Sequence, residues 1–110
     1  MKAASNAMSI DNNGNAILRG TLVQNQDPIN PAPDQDEFVM KDSLGDVVAL
    51  VRLQNGNMFI SGNLFESQPS LIPPASDDFV IINSDGEVIS YIDESGNFYL
   101  RGSLTQNGNP

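Results

Sequence analysis

The stretch Asp11-Asn12-Asn13-Gly14-Asn15 is the first place where residue type and spacing suggest chemistry, because carboxylate and amide oxygens in a tight loop suit a hard cation. The spacing fails the best-known pattern. A helix-loop-helix calcium site needs Gly at its sixth position and Glu at its twelfth, whereas here Gly stands fourth and no Glu follows where required. The expectation is a hairpin turn. Asp34, Asp36 and Glu37, with their counterparts Asp77 and Asp78, form acidic clusters just ahead of two apolar runs. A weak cation site is the sharp reading there. The favoured one is a solvated linker edge whose charge discourages sheet-to-sheet aggregation.

The remaining side chains narrow the chemistry further. The chain has 110 residues, no His, no Cys and no Trp, and 14 acids against 5 bases for a net charge of -9. Without imidazole or thiolate, the usual zinc sites, Ser-His-Asp or Cys-His nucleophiles and disulfide redox chemistry are excluded. A carboxylate pair of glycosidase type could be drawn from this many acids in any protein. Acids that recur in several turns do one structural job in each, so the chain is read as not an enzyme, with no catalytic, cofactor-binding or metal residues assigned. Tyr91 and Tyr99 make a thin platform for a sugar. Arg19 and Arg101 occupy matching positions, with Ser61 between them in the series, and are expected to form surface ion pairs of little energetic weight. Two Lys and three Arg cannot build a surface for a phosphate backbone, so nucleic acid is not an expected partner. No apolar run approaches the ~20 residues that span a bilayer. Ser5-Asn6-Ala7 ahead of Met8 reads as the remnant of a cleaved tag, so residues 1–8 are set aside as tag or disordered.

Self-similarity organises what is left. Residues 36–68 match residues 77–107 along their whole length, with Phe38 aligned to Phe79, Gly45 to Gly86, Gly56 to Gly96 and Gly62 to Gly102. Residues 9–26 repeat only the second half of the unit, aligning Gly14 with Gly56 and Gly20 with Gly62. The expected organisation is a partial repeat at 9–26, a Pro-rich linker at 27–35, a repeat at 36–68, a second Pro-rich linker at 69–76, a repeat at 77–107 and a tail at 108–110. Glycine and proline test this parse independently. Eight of nine Gly fall at repeated positions, and six of seven Pro fall in the two linkers, so none interrupts a proposed strand.

Each unit of ~41 residues reads as a three-stranded antiparallel meander, and the fold class is all-β. Asp42-Ser43-Leu44-Gly45, Asn83-Ser84-Asp85-Gly86, Asp11-Asn12-Asn13-Gly14 and Asp93-Glu94-Ser95-Gly96 each place Asp or Asn three residues before Gly, the pattern of a side-chain-capped turn closed by a left-handed residue. Leu53-Gln54-Asn55-Gly56 keeps the Gly without the capping acid. Alternation puts Phe38, Met40, Val47, Ala49, Val51, Met58 and Ile60 on one face, and Val39, Val48, Leu50 and Phe59 on the other. A sheet with one wet face should alternate apolar with polar. Two apolar faces need cover, so each meander must stack on another unit or another chain, and a homo-oligomer, with a trimer as one form, is expected. Gly20, Gly62 and Gly102, each two residues before a Leu, are read chiefly as a bend returning that Leu to the core. Close packing around a shared axis is the other reading.

The stretch Asp78 to Leu104 and its partner beginning at Asp36 resemble hairpin repeats of secreted or cell-surface proteins of bacteria and archaea, and more loosely the stem repeats of phage tail fibres. The resemblance implies a secreted or cell-surface location and a non-catalytic role as spacer, stalk or adhesin segment of a larger protein, without cofactors. A β-propeller fragment, whose blades run ~40 to 45 residues, and a calcium-dependent adhesion domain are the alternatives.

Overall fold

Turn chemistry cuts this chain into short strands. The leading Asp or Asn of each four-residue turn accepts backbone N–H bonds from two and four residues on. Asp11 takes them from Asn13 and Asn15 (both 2.9 Å), and Asp42 from Leu44 (3.0 Å) and Asp46 (2.9 Å). Asn83 takes them from Asp85 and Glu87, and Asp93 from Ser95 and Asn97, all at 3.0 Å. In the turn without a leading acid, Asn55 supplies the cap to the Asn57 N–H at 2.9 Å. The closing glycines lie at φ between +77° at Gly56 and +87° at Gly45, where a side chain would be strained.

The computed structural model describes residues 7–26, 28–31, 37–69, 71 and 79–109. Residues 1–6, most of both expected linker cores including Pro33, Pro73 and Pro74, and the terminal Pro110 lie outside the described residues, as do Asp34, Asp36, Asp77 and Asp78, whereas Ala7 and Met8, set aside above with the tag, are buried in the core. Among the described residues there is no helix. Eleven strands follow in order: β1 Met8–Ile10, β2 Ala16–Leu18, β3 Leu22–Val23, β4 Glu37–Lys41, β5 Val47–Arg52, β6 Met58–Ile60, β7 Leu64–Phe65, β8 Phe79–Ile82, β9 Val88–Ile92, β10 Phe98–Leu100 and β11 Leu104–Thr105. The chain is all-β, as its alternation and turns imply.

The sheets differ from the expected three-stranded meanders in one respect. Their orders are β1-β2-β11, β3-β6-β5-β4 and β7-β10-β9-β8. Neighbours close in sequence pair antiparallel, but each sheet also holds one two-residue strand from a distant part of the chain, paired parallel. β3 lies on β6, β7 on β10, and β11 on β2. The chain thus hands a strand forward twice and, at its end, back to the first sheet. The three sheets form a closed cycle within one chain.

Glycine permits each hand-over. A Cβ on Gly20 would lie 2.7 Å from the Gly56 carbonyl carbon, one on Gly62 would lie 2.9 Å from the Asn97 nitrogen, and one on Gly102 would lie 2.8 Å from the Asn15 nitrogen. These are backbone atoms that cannot swing away, so close approach is the dominant role of these glycines, where the sequence favoured a bend. The Leu that follows still turns inward. Leu22 is buried, and Leu64 and Leu104 pack half-buried against the core.

A second departure concerns Val48. The register of β4 on β5 pairs Met40 with Ala49 but Lys41 with Val47, so Val48 is an extra residue in a bulge, and Ile89 holds the same place in β9. A bulge breaks the two-residue rhythm. Val48 and Ile89 therefore join the cluster of Ala49, Val51, Met58, Ile60, Phe98 and Leu100 rather than the opposite face. On that opposite face Leu50 is wholly buried, and the Arg52 guanidinium lies 5.2 Å above the half-buried Phe59 ring. Burying a Leu in this way contributes about 1.5–3 kcal/mol. Most of both apolar faces of the second sheet is covered, as thin sheets of this composition require, while Phe38 at the outer strand stays 38% exposed.

Candidate functional site

Three matching joints carry the most elaborate polar construction in the molecule. At each, the glycine just before the handed-over strand donates its N–H to a turn glycine of the next sheet: Gly20 to Gly56 (3.1 Å), Gly62 to Gly96 (3.2 Å) and Gly102 to Gly14 (3.1 Å). The Asn after the turn glycine then receives the next N–H on its side-chain oxygen. Thr21 donates to Asn57 (3.0 Å), Asn63 to Asn97 (2.9 Å) and Ser103 to Asn15 (3.0 Å). A further side chain caps the incoming strand, with the Leu22 N–H on Gln106, the Leu64 N–H on Gln24 and the Leu104 N–H on Glu66. Asn25, Ser67 and Asn107 adopt left-handed φ of 54° to 57° and close the cycle through N–H bonds to the carbonyls of Gly62, Gly102 and Gly20. The sequence reading singled out the glycines and missed this clasp. Its signal was present in the Gly-Asn pairs at 14–15, 56–57 and 96–97.

The acids and bases weighed for chemistry are drawn into this framework. Both oxygens of Asp11 serve its own turn, Oδ2 accepting from the Asn15 side chain at 3.3 Å. The Asn15 backbone N–H holds the Asp11 carboxyl below its ordinary value against the opposing effect of burial, helped by the Asn13 N–H, the Asn15 side chain and the Gly14 N–H. Arg19 reaches across a joint to the carbonyls of Leu53 and Gln54, and Ser61 does the same to Ser95 at 2.9 Å. Arg101 forms the surface ion pair expected of it, 3.5 Å from Glu87. Glu37 pairs at 3.5 Å with Arg52.

The tyrosines are joined by a third ring that sequence spacing did not connect to them. Phe65, Tyr99 and Tyr91 stack across the third sheet, with centroids 4.9 and 4.4 Å apart and planes within 18°. Tyr99 is sandwiched, so its faces are spent on its neighbours rather than offered to a sugar. Burial, helped by the Asp93 carboxylate that accepts from its hydroxyl at 3.5 Å, pushes the Tyr99 phenol above its usual value.

Two concavities lie among the described residues, a polar one of about 370 Å³ lined by Asn12, Ser67, Asn83, Glu87 and Arg101, and an apolar one. The inner faces of the three sheets converge on an apolar cavity of about 270 Å³, lined among others by Met8, Ile10, Phe38, Phe79, Ser90 and Phe98. Phe38 and Phe79 meet edge to face there, 5.4 Å between centroids. Ser90 is 1% exposed, and its hydroxyl has no hydrogen-bond partner among the described residues. In sequence the residue is legible only as a Ser standing where the second repeat has Ala49.

Compared with family models, with curated proteins and with solved structures, the chain matches none.

Proposed function

We propose that the chain is a non-catalytic structural or interaction module, a spacer, stalk or adhesin segment of a larger secreted or cell-surface protein. Its units are tandem repeats of ~41 residues joined by Pro-rich linkers, and it acts by rigid packing of β meanders on one another. The observation that carries this reading is the cyclic hand-over of β3, β7 and β11, held at all three joints by the same glycine and asparagine bonds. A repeated polar construction that consumes its own donors and acceptors serves shape rather than turnover. The turn acids support the same conclusion, because their oxygens are engaged by backbone N–H groups within each turn.

In this reading the two full repeats and the partial one of a single chain do the work of three subunits. Light scattering across a wide concentration range should return the mass of one chain, and urea unfolding should be a single transition with a midpoint independent of concentration. A trimer whose dissociation accompanies unfolding would overturn the self-closed module. Protease treatment of intact source cells, followed by detection of the parent protein, tests the surface location.

A further inference from the structure

The closing joint differs from its siblings in what surrounds it. Where β11 returns to the first sheet, the turn after β8 rests on the Asp11–Gly14 turn, the Asn83 side chain donating to the Asn12 carbonyl at 3.2 Å. Arg101 stands beside both turns, 3.5 Å from Glu87, and residues 67–69 complete the wall of the polar concavity of about 370 Å³. At the joint of the second and third sheets the matching positions hold Ser61 for Arg101, Leu44 for Asp85 and Glu94 for Asn12, and the Ser43 N–H donates to Glu94 at 3.1 Å. At the first joint the guanidinium is that of Arg19, spent on the Leu53 and Gln54 carbonyls. What the three joints share serves closure. What the closing joint adds is an amide-rich hollow with a guanidinium in its wall.

From this chemistry we infer that the hollow is a binding site for a neutral carbohydrate, a single sugar unit or the end of a longer chain. The side chains of Asn12, Asn13, Ser67 and Asp85 line it without a hydrogen-bond partner among the described residues. Amides and a hydroxyl both donate and accept, Asp85 accepts, and Arg101 has donors to spare beyond its pair with Glu87. A ligand matched to so dense a mixture must carry many groups that do both, which is the property of sugar hydroxyls. Small-molecule sites of ~300–1,000 Å³ are ordinarily apolar with a few polar groups, whereas here the lining is polar apart from Pro69. An anion would meet Asp85, Glu87 and a chain of net charge -9. A hard cation needs about six to eight convergent oxygens, and the guanidinium opposes it. The inference goes beyond the passive spacing proposed above and stands on this hollow whether or not the parent protein is a stalk.

The test is titration of the whole chain with glucose, galactose, mannose and N-acetylglucosamine, followed by shifts of backbone and side-chain amide resonances. Saturable shifts at Asn12, Asn13 and Asp85 are expected with at least one of them, at a Kd on the order of 1 mM. Arg101→Ser and Asp85→Leu copy residues that the sibling joint already carries, so the fold accommodates them, and each should weaken binding at least about tenfold. An unchanged melting temperature separates that loss from misfolding, and Leu44→Asp at the sibling turn should leave binding as it is. No saturable shift with any of the four sugars up to roughly 100 mM would overturn the inference, and so would equal binding by Asp85→Leu. A response at these residues to calcium chloride or sodium acetate, and to no sugar, would give the site to an ion and overturn it equally.

Discussion

The first sheet and the other two are built from the same turn and the same joint, yet among the described residues the first has three strands where the others have four. The difference separates what closes the cycle from what thickens it. β2 and β11 pair in the register that β6 uses with β3 and β10 with β7, and the Asn15 clasp matches those of Asn57 and Asn97 in length within 0.1 Å. The joint is therefore indifferent to whether a first strand stands at the far edge. Beside β1 lies the apolar cavity, which Met8 and Ile10 line together with Phe38, Phe79 and Ile81.

Opening the cycle should break this comparison most severely. Truncation before Leu104 removes β11 and the Gln106 and Asn107 bonds to the first joint, and is expected to abolish the cooperative urea transition. Retention of a sharp transition would show that three sheets need not be closed. The next largest effect belongs to the crossing glycines. Gly62→Ala drives a Cβ to within 2.9 Å of the Asn97 backbone nitrogen and should cost about 3 kcal/mol, whereas Gly45→Ala meets open space and should cost about 1 kcal/mol from its left-handed backbone alone. Urea unfolding of the two variants side by side measures the gap.

Smaller effects sharpen the equivalence of the joints. Asn15→Ala, Asn57→Ala and Asn97→Ala each remove one side-chain acceptor from a backbone N–H and should each lower stability by about 1 kcal/mol. Markedly unequal losses would mean that the first sheet is held differently from its neighbours. The smallest effect is electrostatic. The folded chain holds the Asp11 carboxyl below its ordinary 3.8, so the unfolded chain takes up the proton first as pH falls. The stabilisation is present above about pH 4 and is lost as pH drops through the lowered folded value. Asp11→Asn keeps the cap, as Asn83 does in its own turn, and should flatten this part of the acid limb in urea midpoints measured between pH 5 and pH 2.

Much of the architecture was legible because it is local. A side chain that caps its own turn and a glycine that takes a left-handed φ need only their immediate neighbours, so Asp11, Asp42, Asn83 and Asp93 could be assigned to hairpins before any tertiary structure was known. The all-β class, the exclusion of imidazole and thiolate chemistry and the need to cover two apolar faces follow in the same way from residue type and alternation. The cavity was not legible. Its lining comes from three sheets, which alternation along a single strand cannot bring together.

Which copy lends a strand to which sheet was decided by tertiary structure alone. Copies of one pattern present similar edges, so a sequence cannot distinguish its own neighbour from another molecule as the partner for Leu64 or Leu104. Close approach at Gly20, Gly62 and Gly102 selects the forward hand-over and the return of β11 to β2. The inward turn of Val48 has the same origin. Val48 is one extra residue on β5 opposite the Met40–Lys41 step, which shifts its side chain from one face to the other, and an unpaired residue is a property of two strands together, never of one read alone.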